Sequence, residues 1–145
     1  MNWKDEALHK LRSYGAMRQA VINIPEELER LEQEAQSIRS VQFDSPAVRS
    51  GGQKWENAMI NNLVQRQELA QNFSQAQSLV RTTDRAMKVL TPEEKLVLHR
   101  FYIYPERGGI DRLCGELGVE QSSVYRKREK ALYKFTVALY GAVEQ

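Results

Sequence analysis

The chain has 145 residues, 41% hydrophobic and 28% charged, which suits one ordinary domain or two small ones and excludes wholesale disorder. It contains no uninterrupted run of about 18 apolar residues. The opening Met1-Asn2-Trp3-Lys4-Asp5-Glu6 turns acidic where a signal peptide would turn apolar, so a cytoplasmic protein with no membrane partner is expected. One cysteine, Cys114, and two histidines, His9 and His99, supply neither an internal disulfide nor a zinc ligand set. No metal or other cofactor is expected. The net charge of +2 makes no bulk argument for nucleic acid, but its distribution does. Residues 26–34 hold five acids against the single Arg30, whereas residues 121–135 hold Arg126, Lys127, Arg128, Lys130 and Lys134 against Glu129, a local +4.

Four prolines, at 25, 46, 92 and 105, punctuate a sequence whose apolar spacing is helical throughout, so an all-α fold is predicted. Leu8, Leu11 and Tyr14 mark a first amphipathic helix. Pro25 is expected to open a second, striped by Leu28, Leu31, Ala35 and Ile38. A loop is expected over about 41–54, where Pro46, Gly51 and Gly52 interrupt any period. From Trp55 to about Val89 nothing breaks a helix, which gives one long rod of about 50 Å striped by Met59, Leu63, Ala70, Phe73, Val80 and Met87. Its amides, among them Asn57, Asn61, Asn62, Gln65 and Gln71, are read as a solvated flank. Such a stripe needs the preceding helices, a second copy of the chain, or both, so residues 1–90 are read as a helical hairpin or coiled-coil interaction domain and the protein as a homodimer through it.

Residues 91–145 are read as a second domain. Thr91-Pro92-Glu93-Glu94 combines an N-cap threonine, a proline at the first helical position and a capping-box glutamate, and so starts a helix carrying Leu96, Val97 and Phe101 inward. That helix should end before Tyr104-Pro105, with another over 110–117 and a last one over 121–135. The spacing across Ile110 to Arg126 is that of a helix-turn-helix: Leu113 and Leu117 face inward, Cys114 is small enough for a close crossing, Gly118 can turn left-handed and Val119 plugs the turn. Val124, Ala131, Leu132 and Phe135 give the last helix its buried stripe, which turns Ser122, Arg126, Glu129 and Tyr133 outward. The N-terminal end of such a helix enters the major groove of duplex DNA, where Arg126 suits guanine and Gln121 adenine.

The run from Leu90-Thr91-Pro92-Glu93-Glu94 to Phe101-Tyr102, the motif above and Lys130-Ala131-Leu132-Tyr133-Lys134-Phe135 resemble the DNA-binding region four of bacterial sigma factors over about 45 residues. The whole chain is similar to the short phage late-gene transcription regulators of the ArpU and RinA type, with a weaker likeness around Leu28 to Ser40 and the loop before the long helix. The resemblance implies base contacts from Gln121, Ser122 and Arg126. It implies backbone contacts from Arg100, Arg112, Ser123, Tyr125 and Lys130, with Lys127 beside them. Glu120 stands where such turns place a serine or threonine cap, and Lys127 where sigma domains bury an apolar residue. The chain has no room for the other sigma regions, so the implied function is a sequence-specific regulator of late-gene transcription, an activator, in a bacterial host, with promoter DNA and host RNA polymerase as partners. No phosphate loop, nucleophile elbow or paired-carboxylate motif is present, and no enzyme is expected. The alternative is a helical adaptor that binds polymerase, or a phage assembly subunit of the small-terminase kind.

Overall fold

The computed structural model describes residues 2–44 and 52–141, and all regular structure among them is helical. In chain order the elements are α1 (Trp3–Asp44), α2 (Gly52–Met87), α3 (Pro92–Leu98), a π-helical turn (His99–Ile103), α4 (Gly109–Leu117) and α5 (Gln121–Tyr140). No described helix is long and apolar enough to cross a membrane. The chain divides into two compact units, one of Met1–Arg18 with Ser78–Gln145 and one of Gln19–Gln77. That grouping cuts across residue 90, since the first turns of α1 and the last turns of α2 belong with the C-terminal helices.

The expected break at Pro25 is corrected: α1 runs through it without interruption. Proline in a helix interior leaves the carbonyl four residues back without its amide and costs about 3 kcal/mol. Here the inward stripe stays in phase on both sides of it, with Val21, Ile24, Leu28, Leu31, Ala35 and Ile38 alternating steps of three and four and all buried or half-buried. Burial of that stripe against α2 offsets the missing bond. The expected loop is shorter than predicted, because 41–44 and 52–54 are helical; its remainder, 45–51, lies outside the described residues.

Within the unit of Gln19–Gln77 the two helices run antiparallel. Asn62 Nδ2 donates to the Leu31 carbonyl at 2.8 Å, and Trp55 Nε1 to the Ile38 carbonyl at 2.9 Å. The inward seam of α2 differs from the predicted stripe: Leu63 and Ala70 are exposed, while Asn62, Arg66, Leu69, Phe73 and Ala76 carry the seam with Met59. Asn62, expected on the solvated flank, is fully buried, and Arg66 Nε donates to its Oδ1 at 2.8 Å. Polar side chains occupy seam positions because their hydrogen bonds are met inside the pair.

In the other unit, Phe135, Leu132, Ala131, Leu98 and Ile103 form one core with Ala7, Leu11, Ala86 and Leu90. Val97, Leu113 and Val124 form a second, covered by Leu96, Phe101, Cys114, Leu117 and Val119. The capping box is complete: Thr91 Oγ1 accepts from the Glu94 amide at 3.2 Å, and Glu94 Oε1 from the Thr91 amide at 3.0 Å. The end of α3 widens into the π-helical turn, whose extra residue per turn rotates Phe101 and Tyr102 toward other helices. α5 outruns its predicted end by five residues, to Tyr140, because Thr136 is buried and Leu139 and Tyr140 pack on the first core.

Candidate nucleic-acid interface

α4 ends at Gly118, which takes φ +65, the left-handed region that glycine enters without steric cost. The Val119 amide then reaches back to the Cys114 carbonyl at 3.1 Å, closing the helix end. α5 opens two residues later at Gln121, and its N-cap, Glu120, offers no side-chain bond. Val124, Ala131, Leu132 and Phe135 are buried as the helical wheel requires, and Ser122, Arg126, Glu129, Lys130 and Tyr133 are exposed. Tyr125 is exposed and Ser123 half-buried on the flanks.

The cations of α5 divide into held and unheld. Lys127 pairs with Glu93, and Lys134 with Glu94 at 3.1 Å. The Arg128 guanidinium lies beside two neighbouring rings, 5.1 Å from the Phe101 centroid and 5.0 Å from that of Tyr125, and pairs with Glu129 at 3.1 Å. Arg126 and Lys130 have no carboxylate partner among the described residues. The basic charge on α5 that is free to meet a ligand is therefore concentrated at these two positions, on the face that also presents Ser122.

The outlying candidates are placed differently. Arg100 is mostly covered, with Nη2 bonded to both Glu116 oxygens at 3.0 and 3.3 Å. Arg112 pairs with Glu106 at 2.7 Å. Gln121 is exposed at the rim of a cleft of about 340 Å³ lined by Phe101, Pro105, Gly108, Ile110 and Leu113 together with Arg100. Thus Gln121, Ser122, Tyr125, Arg126 and Lys130 are accessible on or beside one face, whereas Arg100, Arg112 and Lys127 are engaged with acids.

Two participants escape motif reasoning. In the sequence Arg128 is one more basic residue, yet in the fold it is wedged against the π-helical turn. Lys4, at the other end of the chain, reaches Glu129 Oε2 at 3.1 Å. Burial pushes the Glu129 carboxyl up, but hydrogen bonds from Lys4 and Arg128 outweigh that effect and hold it below the usual carboxylate range. No sequence signal links residues so far apart. No group of acids, histidines and cysteine that could hold a metal occurs among the described residues. Comparison with family models, curated proteins and solved structures finds no match.

Proposed function

We propose that the helices from Pro92 to Tyr140 act as a sigma region-four-like helix-turn-helix, and that the protein is a sequence-specific DNA-binding regulator of phage late-gene transcription. The observation that carries this reading is the outward face of α5, where Arg126 and Lys130 lack acidic partners among the described residues, beside the exposed Ser122 and directly after the left-handed turn at Gly118. A planar guanidinium near the start of a helix suits the acceptor pair of guanine in the major groove, and a lysine one turn further on suits a phosphate. Retention of a labelled duplex, selected from a random pool, against excess random competitor at physiological salt tests it. Equal competition by random duplex would sink specific regulation.

The same reading takes the protein to pair through α2. Ile60, Leu63 and Val64, at i, i+3 and i+4, are 57%, 47% and 44% exposed, an apolar stripe turned away from the Asn62 seam. Sedimentation should give twice the 16.8 kDa chain mass; a concentration-independent single-chain mass would remove the dimer. That stripe also favours the second reading, an adaptor that docks polymerase or an assembly partner. A late-promoter reporter driven by this chain alone separates the two, since an adaptor without DNA binding leaves it silent.

A further inference from the structure

The acid on the outward face of α5 has an unusual guard. Glu129 is the only acidic residue in that helix, and it lies one turn beyond Arg126. A glutamate and an arginine three apart on a helix are neighbours that pair readily. Here they do not: Arg128 Nη2 holds Oε1 of Glu129 at 3.1 Å, and Lys4 Nζ holds Oε2 at 3.1 Å. Both oxygens are taken, and the Arg126 guanidinium is left without a carboxylate partner among the described residues.

We propose that Lys4, on the first turn of α1, is a positioning residue of the nucleic-acid face, which keeps Glu129 from capturing Arg126 and so leaves that arginine free for DNA. The inference rests on the DNA-binding reading and extends its working surface to a residue 125 positions away in sequence. Arg128 alone does not suffice, because it reaches only one oxygen while it lies against the Phe101 and Tyr125 rings. With Lys4 removed, Oε2 turns to Arg126, and the surface loses one of the cations that offset the carboxylate near the phosphates. Both effects oppose binding. The groups around Glu129 are Lys4, Arg128 and the Tyr102 ring, whose own hydroxyl is pushed up by burial and, further, by the Glu129 charge.

The test is a four-way comparison of duplex binding by the full chain: unaltered, Lys4→Ala, Glu129→Gln, and the two together. Lys4→Ala should weaken binding roughly three- to tenfold at moderate salt, the scale set by the loss of one compensating charge near the phosphates. Glu129→Gln should bind at least as tightly as the unaltered chain, and the double variant should match it. If Lys4→Ala binds like the unaltered chain, or the double variant is as weak as Lys4→Ala, the guarding role is wrong. An unaltered chain that holds no duplex overturns the DNA-binding reading and this inference together. A readout without DNA is the titration of the Glu129 carboxyl carbon by NMR. Lys4→Ala should move its midpoint upward, and an unmoved midpoint overturns the pairing whatever the duplex does. Lys4 and Glu129 are each half exposed, so the melting temperature should barely change in any variant.

Discussion

Glu94 ties the start of α3 to α5, and its replacement has a calculable effect. Only 8% of the residue is exposed. Its Oε1 accepts from the Thr91 amide at 3.0 Å and from Lys134 Nζ at 3.2 Å. Glu94→Ala removes half of the capping box, worth about 1 kcal/mol. It also removes a charge-assisted contact that counts for about 0.5–1 kcal/mol because Lys134 is 40% exposed. The sum, about 1.5–2 kcal/mol, corresponds to a fall of roughly 3–8 °C in Tm for a chain of this size. Glu94→Gln keeps an acceptor for the Thr91 amide and loses only the charge, so about half of that effect is expected. Burial raises the Glu94 carboxyl, but the Thr91 amide and the Lys134 ammonium outweigh it and hold it below its ordinary value. A carboxyl whose folded value lies below its unfolded one stabilises above the unfolded value, near 4.3, and that stabilisation is lost as pH falls through the folded value. Melts followed by circular dichroism at neutral pH and in acid should therefore show the gap between the unaltered chain and Glu94→Gln closing in acid. A gap of the same size at both ends of the range, or none at neutral pH, would refute this account of the contact.

Pro25→Ala should stabilise the unit of Gln19–Gln77 by about 1–3 kcal/mol, because the helix regains an amide donor where α1 already runs straight through; urea unfolding that shows a loss would mean the ring packs better than an alanine. Tyr14 should stay protonated far into alkali, since burial, the 2.6 Å bond from its hydroxyl to Asp84 and the Asp84 charge push it up to about 12. Its contribution to stability is present below the ordinary tyrosine value of about 10 and lost as pH rises through the folded one. In an ultraviolet titration Asp84→Asn should bring one tyrosine back toward the ordinary range. Phe135→Ala, at a fully buried position of the larger core, should cost about 3–5 kcal/mol, read from the denaturant midpoint.

What the sequence made legible follows the reach of its physics. The capping box at Thr91, the left-handed Gly118 and the Val124, Ala131, Leu132, Phe135 stripe depend on neighbours within a few turns, and each is found where the spacing puts it. Pro25 misled because a local rule was overridden by a stripe in phase on both sides of it. The α2 seam differs from its apolar stripe because Asn62 and Arg66 occupy it with their hydrogen bonds met, which a hydrophobic period does not register. Among the candidate site residues, residue type and helical phase identified the free face of α5. They could not tell Arg126, which is unpaired among the described residues, from Lys127 and Arg112, whose acids come from α3 and from the segment before α4. The contact from Lys4 to Glu129 joins distant parts of the chain, and only the folded arrangement reveals it.

The central claim is that α5 reads DNA with Arg126 and holds it with Lys130, and a salt titration of duplex binding by Arg126→Ala and Lys130→Ala tests it most directly. Arg126→Ala should cost about 1–3 kcal/mol on the selected duplex and relax the preference at one base pair. Lys130→Ala should weaken selected and random duplex alike and make the log-affinity against log-salt slope shallower by about one. If both variants bind selected and random duplex as tightly as the unaltered chain at every salt concentration, the outward face of α5 is not a DNA-binding surface.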